Sequence, residues 1–218
     1  ELASLSTFSV TTLAPAAGGP TRTPSALNPP LVLASHQSQA LLDDLTVTNK
    51  VSQNLHAELL LRLLGREKGT TGTIEGGLEV VRGFLTQAGI SPDDYFFADG
   101  SGLSRLNLVA PRAVVRLLQY ASTQPWGQQF RQTLPVAGED GTLVNRLKTA
   151  PAAGQVDAKS GALGHVSALS GYATTAAGEP LIFSILVNNT SLPGARTEDL
   201  IDRVVEAMVN DLPPAGKK

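Results

Sequence analysis

The 218-residue sequence contains no cysteine, so it forms neither disulfides nor cysteine-ligated zinc or redox centres. The absence of cysteine does not indicate a cellular compartment, because cysteine-free chains are common inside and outside the cytoplasm. Charge is sparse, with 17 Lys or Arg against 19 Asp or Glu residues and no basic cluster, which argues against nucleic acid or an anionic membrane surface as a partner. No apolar run approaches the roughly 18 residues that a transmembrane segment needs.

Several catalytic signatures are also missing. No serine has glycines two positions before and two after it, as a nucleophile elbow requires, and none is followed by a lysine three residues later. The three histidines, His36, His56 and His165, do not show the spacing of metal ligands. We therefore expect no metal ion and no other cofactor.

Hydrophobic residues make up 42% of the chain, enough for one large domain, alone or with an appendage. The chain opens on Glu1 without a methionine or a basic and apolar leader, so we expect that translation does not begin there. Residues 5–10 predict a strand, and a tract rich in Pro, Gly and Ala follows at 14–30. We interpret 1–30 as the end of a preceding segment plus a linker, and 31–218 as the main domain.

Hydrophobic spacing predicts helices at 38–48, 54–64, 74–88, 111–121 and 197–210. Gly65 is expected to cap the second of these helices. The last helix carries a wide apolar stripe, which we expect to be buried: Leu200, Ile201, Val204, Val205 and Met208.

A short strand is predicted at 31–34, and a hairpin runs from Val166 to Val187 around a turn at 177–179. Helices followed by a hairpin and a terminal helix predict an α+β fold, an antiparallel sheet flanked by helices.

Ser52-Gln53-Asn54 lies in the predicted turn between two helices. On one helix Ser52 and Asn54 would point about 200° apart, but in a turn they can face one cleft. A hydroxyl there can relay a proton, and an amide can hydrogen-bond an amide substrate. The alternative is a simple helix cap or loop, because this triplet is common by chance.

Lys159-Ser160-Gly161 is scarcer and opens a predicted strand just before the hairpin. An ammonium at a strand edge attracts a carboxylate, a hydroxyl can hydrogen-bond it, and glycine lets a peptide approach the backbone. The alternative is a turn leading into a strand. Strict alternation puts Lys159 and Ser160 on opposite faces, so a shared role needs twist at the strand end.

The loop Asp99-Gly100-Ser101-Gly102-Leu103-Ser104-Arg105 is interpreted as structural rather than catalytic. Its polar side chains Asp99, Ser101 and Ser104 are expected to hydrogen-bond nearby backbone groups.

Five segments in order resemble the class C penicillin-binding proteins, the D-alanyl-D-alanine carboxypeptidase/endopeptidase family. They cover roughly residues 31–210. The segments are Asn49–Leu55, Asp99–Asn107, Leu134–Leu143, Ala158–Gly161 and Phe183–Asn188.

The resemblance implies a serine β-lactamase/transpeptidase-like fold and assigns roles to the two triplets. By it, Ser52 helps to shuttle a proton, Asn54 binds the substrate amide, and Lys159, Ser160 and Gly161 form the third motif. Two residues depart from the family pattern: Gln53 stands where Asn or Asp is frequent, and Ser160 replaces Thr but keeps the hydroxyl. The family's Ser-x-x-Lys nucleophile motif lies upstream of Ser-x-Asn, beyond inserted domains.

The implied function is a serine-type carboxypeptidase outside the cytoplasmic membrane, periplasmic or otherwise extracytoplasmic, with peptidoglycan stem peptides ending in D-Ala-D-Ala and β-lactam antibiotics as partners. Without the nucleophile motif, the chain alone is expected to be inactive. Two alternatives remain open at this point. One is a related β-lactamase or esterase, and the other is a non-catalytic cell-wall-binding or scaffold protein of the same fold.

Overall fold

The structure is a computed structural model that describes residues 8–9 and 34–211. The chain divides into two units, Glu1–Asp44 and Leu45–Lys218. In the first unit, strand β1 (Phe8–Ser9) pairs antiparallel with β2 (Ser35–His36). The expected linker at 14–30, and most of the strands expected at 5–10 and 31–34, lie outside the described residues.

Six helices occur among the described residues, and five of them correspond to the predicted ones. The ends of these five differ from prediction by at most four residues, and the helices predicted at 74–88 and 111–121 differ by one residue at one end only. The sixth, α5, was not predicted, because its six residues carry no apolar repeat. The helices are α1 (Leu41–Lys50), α2 (Asn54–Lys68), α3 (Ile74–Gln87), α4 (Pro111–Ser122), α5 (Gly127–Gln132) and α6 (Gly194–Asp211).

Gly65 does not cap α2, so that prediction is wrong. The helix continues to Lys68, and the N–H of Gly69 donates to the carbonyl of Gly65. A Cβ on Gly65 would lie 2.4 Å from the carbonyl oxygen of Thr71 and 2.7 Å from the amide nitrogen of Gly77. The glycine is needed because the start of α3 packs directly on the α2 backbone.

A three-stranded antiparallel sheet in the order β5-β6-β7 forms the centre of the larger unit: β5 (Val156–Leu163), β6 (Val166–Thr174) and β7 (Pro180–Asn188). The predicted hairpin is confirmed as β6 and β7. A two-residue pair, β3 (Tyr95–Phe96) with β4 (Leu108–Val109), forms a separate small sheet.

Helices cover both faces of this sheet, and alternate residues of each strand point to opposite sides. On one face, Val156, Ala158 and Leu169 pack with α6 in the main core. On the other, Tyr172 packs against Leu118 of α4 and donates a 2.8 Å hydrogen bond from its hydroxyl to the Leu118 carbonyl. The α+β architecture expected from the sequence is confirmed.

The buried stripe on α6 is narrower than predicted. Ile201, Val205 and Val209 are at most 2% exposed, whereas Leu200 and Val204 are 39% and 49% exposed. Residues four apart share one helix face, while a neighbour in sequence is rotated by about 100°. The predicted burial of Leu200 and Val204 is therefore wrong. Ile201 and Val205 face the sheet, and the residue before each of them points away from it.

We expect Val205→Asp to lower the free energy of unfolding by about 3 kcal/mol or more, because it buries an unpaired carboxylate against the sheet. Val204→Asp, the same change one position earlier on the exposed side, is the matched control and should cost far less. Chemical denaturation of both variants measures this. Equal losses would contradict the described packing of α6.

Candidate active site

Ser52 lies in the turn between α1 and α2 with a backbone φ of 59°, in the left-handed region that side-chain-bearing residues rarely adopt. The amide of the next residue, Gln53, donates to the carbonyl of Thr48 at 3.1 Å, which holds the turn closed. The side chain of Gln53 caps α2 by accepting from the Leu55 amide at 3.4 Å. The capping function that the triplet can serve thus belongs to Gln53, which leaves the Ser52 hydroxyl to face elsewhere.

The Lys159 ammonium joins the two triplets. It donates to the Ser52 hydroxyl at 2.8 Å, across 107 residues of sequence, and to the carbonyl of Ser160 at 2.7 Å. Burial lowers the pKa of Lys159 below its ordinary value, because desolvation disfavours the charged form. A lysine with a lowered pKa beside a hydroxyl is chemically suited to proton transfer.

The second triplet, Lys159-Ser160-Gly161, was predicted to open a strand, but it lies inside β5, since three residues of the strand precede Lys159. Ser160 donates from its hydroxyl to the Thr142 hydroxyl at 2.8 Å. Gly161 is exposed, and a Cβ there would meet nothing closer than the Ala168 Cβ at 3.6 Å, an ordinary contact. Packing within the described part of the chain therefore does not explain a glycine at 161.

Asn54 is the first residue of α2, two positions beyond Ser52. Its side chain is exposed and makes no hydrogen bond to another residue of the described ranges. The structure thus brings Ser52, Lys159 and Ser160 together through direct contacts, and places Asn54 beside them in sequence without linking it to the group.

The outer edge of β5 is covered over only part of its length. The Ala137 amide donates to the Val156 carbonyl at 2.9 Å, and the Ala158 amide donates to the Pro135 carbonyl at 3.0 Å. Backbone groups of alternate residues point to the same edge of a strand, so those of Ser160 and Ala162 also point outward, beyond this covered stretch.

In the loop at 99–105, the side chains of Asp99, Ser101 and Ser104 hydrogen-bond nearby backbone amides, as predicted. The Asp99 carboxylate accepts from the amides of Gly102 and Ser104 and from the Asn107 side chain, at 2.6 to 2.8 Å. Partial burial alone would raise the pKa of Asp99, but these hydrogen bonds outweigh it and bring the pKa below its ordinary value. Glu58 of α2 accepts from the amides of Gly100 and Ser101, which fixes the loop to that helix.

Sequence reasoning missed the residues that support the site. Asn49 donates to the Thr133 hydroxyl at 2.7 Å, the Lys50 ammonium pairs with the Asp140 carboxylate, and Thr142 contacts Ser160. All of these residues except Thr133 fall in segments that carry the family resemblance, which was the available signal. Asn49 and Lys50 each contact a residue more than 80 positions away in the sequence, and no local sequence pattern reveals such contacts.

An open cavity of about 610 Å³ lies between α5 and β5, but none of the predicted site residues lines it. Asp157 borders it and accepts from Arg131 at 2.5 Å, while the Arg131 guanidinium lies over the Tyr172 ring. Within residues 8–9 and 34–211, no group of three or more His, Asp or Glu side chains is arranged to hold a metal ion.

The antiparallel sheet covered by helices on both faces is the fold of the serine β-lactamase and transpeptidase-like class. A class A β-lactamase from Bacteroides cellulosilyticus shares the fold, with a TM-score of 0.61, 21% identity, and coverage of 78% of this chain and 62% of that one. The chain belongs to the D-Ala-D-Ala carboxypeptidase 3 (S13) family, whose sequence profile matches residues 19–209.

Named relatives agree with this family. The chain is 44% identical over 167 residues to a D-alanyl-D-alanine carboxypeptidase of Actinomadura sp. (strain R39), covering 74% of this chain and 31% of the relative. The solved penicillin binding protein 4 of Haemophilus influenzae matches with a TM-score of 0.77 and 30% identity, over 86% of this chain and 44% of that one. The chain thus spans about a third of the length of the curated relatives it matches.

The lowered pKa of Lys159 predicts a pH dependence of stability. Between its folded pKa and the ordinary value of 10.5, the unfolded chain binds more protons, so the Lys159 contribution to stability rises with pH. The free energy of unfolding of the wild type, minus that of Lys159→Met, should therefore increase toward pH 10.5. Lys148→Met, which removes an exposed ammonium, is the control. A difference that is flat or falls with pH would contradict the buried state of Lys159.

Proposed function

We propose that this chain carries the second and third motifs of a serine-type D-alanyl-D-alanine carboxypeptidase/endopeptidase that binds penicillin. The supporting observation is the 2.8 Å contact between Lys159 Nζ and Ser52 Oγ, which unites the two triplets in one site. Two isolated sequence matches that were accidental would have no reason to meet in space.

In this proposal Lys159 and Ser52 form the proton-transfer pair. The Ser52 hydroxyl can both accept and donate a hydrogen, and the neighbouring lysine has a pKa lowered by burial, so a proton can pass through the pair to a leaving amine. Asn54, exposed at the start of α2, offers an amide that can donate to and accept from a substrate amide.

The substrate is proposed to be an extended peptide with a free terminal carboxylate, the stem peptide of peptidoglycan ending in D-Ala-D-Ala. The outward backbone groups of Ser160 and Ala162 offer an edge along which such a peptide can pair. The Lys159 ammonium donates to the outward Ser160 carbonyl, so it reaches this edge although its side chain leaves the opposite face of the strand. There the ammonium attracts the carboxylate, the Ser160 hydroxyl hydrogen-bonds it, and exposed Gly161 leaves room for its approach. A solved relative, penicillin binding protein 4 of Haemophilus influenzae, is complexed with a β-lactam, which supports these antibiotics as ligands.

The nucleophile in this proposal comes from elsewhere in a longer protein, since these 218 residues contain no Ser-x-x-Lys. That serine attacks the peptide carbonyl, backbone amides stabilise the oxyanion, the terminal D-alanine leaves after receiving a proton, and water then hydrolyses the acyl-serine. Residues 31–218 would form the C-terminal part of this penicillin-binding domain, acting outside the cytoplasmic membrane. Among the helices of residues 34–211, none has both the length and the hydrophobicity to cross a bilayer.

A non-catalytic cell-wall-binding protein of the same fold is the second candidate, and the missing Ser-x-x-Lys is the observation that favours it. The two differ in chemistry: the enzyme releases D-alanine from a pentapeptide, whereas the binding protein only retains the peptide. A related β-lactamase or esterase would instead turn over the antibiotic.

Residues 1–218 alone should form no covalent adduct with benzylpenicillin, because acylation requires the absent nucleophile motif. Intact-protein mass spectrometry after incubation with the antibiotic measures this. A stoichiometric mass increase would show that this chain contains a nucleophile of another kind. It would contradict the proposal that the nucleophile lies outside these 218 residues.

In the longer protein, Lys159→Ala should lower kcat/KM for D-alanine release by about 10²-fold or more, because a charge-assisted contact in a partly dehydrated site is lost. Lys159→Arg should recover little, since the planar guanidinium cannot replace a compact ammonium. Lys148→Ala is the surface control. Near-normal release of D-alanine by a well-folded Lys159→Ala variant would remove this residue from the site.

A further inference from the structure

Thr142 occupies a fixed position next to the candidate site, and neither triplet includes it. It lies in a 3₁₀ turn, Gly141–Leu143, and its hydroxyl accepts the 2.8 Å hydrogen bond from the Ser160 hydroxyl. The next residue, Leu143, is fully buried in the main core, which anchors the turn. Thr142 therefore meets Ser160 from a rigid base rather than from a loose loop.

The same turn is tied to the segment that carries Ser52. The Asp140 carboxylate pairs with the Lys50 ammonium and also accepts from the Val136 amide at 2.8 Å. Gly141 has a φ of 55°, and a Cβ on it would lie 2.7 Å from the Lys50 carbonyl oxygen. The backbone of the turn thus rests directly on the end of α1, two residues before Ser52.

These contacts close a ring. Lys50, two residues before Ser52, forms an ion pair with Asp140. Thr142, two residues after Asp140, hydrogen-bonds Ser160. Lys159, beside Ser160, returns to Ser52 through its ammonium. The positions of the Ser52 and Ser160 hydroxyls are consequently fixed relative to each other by two independent routes.

We propose that Thr142 is a positioning residue, which sets the Ser160 hydroxyl to bind the terminal carboxylate of a substrate. This inference rests on the proposed function, in which Ser160 meets that carboxylate. Without a partner, the hydroxyl of a serine samples three rotamers, and serine lacks the methyl group that restricts threonine. The hydrogen bond to Thr142 selects one orientation.

A hydroxyl at 142 serves this purpose because it can reverse its role. In the structure Ser160 donates its hydrogen to Thr142. When a carboxylate arrives, the Ser160 hydrogen turns toward the negative charge, and the Thr142 hydroxyl donates to the Ser160 oxygen in its place. Each hydroxyl then keeps a partner, and a hydrogen bond to the charged group strengthens the one behind it. Valine, with the same shape, can do neither.

The test measures binding by the 218-residue chain, which needs no nucleophile. The probes are N-acetyl-D-alanyl-D-alanine and its C-terminal amide, titrated into ¹⁵N-labelled protein and followed by NMR. Wild type should bind the acid roughly tenfold more tightly than the amide. Thr142→Val should reduce that preference about fivefold, and Thr142→Ser should keep it within about twofold of wild type.

Thr86→Val is the matched control, because the one hydrogen bond of the Thr86 hydroxyl within the described residues goes to the Arg82 carbonyl of its own helix α3. Thermal unfolding of each variant shows whether it is folded. If Thr142→Val keeps the full preference for the acid, the inference fails while the proposed function stands. If wild type itself shows no preference, both the inference and the proposed carboxylate site fail. A preference that depends on Thr142, in a longer protein that releases no D-alanine, would overturn only the proposed function.

Discussion

The register of β5 is the constraint on which the candidate site depends. Val156 and Ala158 are fully buried in the core, while the residues between and after them, Asp157 and Lys159, point to the opposite face. A slip of one residue would move the Lys159 ammonium into that core. Two neighbours prevent this: β6 pairs Ser170 with Lys159, and the segment at 136 bridges to Asp157 on the other side.

Lys159 also shows how the fold balances the cost of a buried charge. An ammonium loses hydration when it is buried, and the lowered pKa records that loss. Hydrogen bonds to the Ser52 hydroxyl and the Ser160 carbonyl offset part of it. The serine that receives the ammonium is itself held in the left-handed region. Strained backbone and poorly solvated charges are common at functional sites, so both features are consistent with the proposed role of this pair.

The sequence predicted the elements whose signal is local. The β6–β7 hairpin and the five longer helices follow from hydrophobic period, turn residues and Pro111, and the structure confirms them. Gly65 was misjudged because a glycine that ends a helix and a glycine that lets two helices touch look alike in sequence. The burial of Leu200 and Val204 was predicted wrongly because the sequence does not distinguish an apolar residue at the edge of a helix stripe from one at its centre. The roles of Ser52, Asn54, Lys159, Ser160 and Gly161 remain predictions. The sequence did not predict which polar side chains contact each other, such as Thr142 with Ser160 or Lys50 with Asp140, since such pairs depend on the tertiary fold.

The distance of 107 residues between Ser52 and Lys159 has a consequence for how the protein is made. A ribosome synthesises the helices α1 to α4 before β5, so Ser52 spends that interval without the ammonium that it later contacts. Contacts between distant positions also form late when an isolated chain folds, because the intervening loop must first be ordered. The contact between Ser52 and Lys159 is therefore absent from any nascent chain that ends before β5.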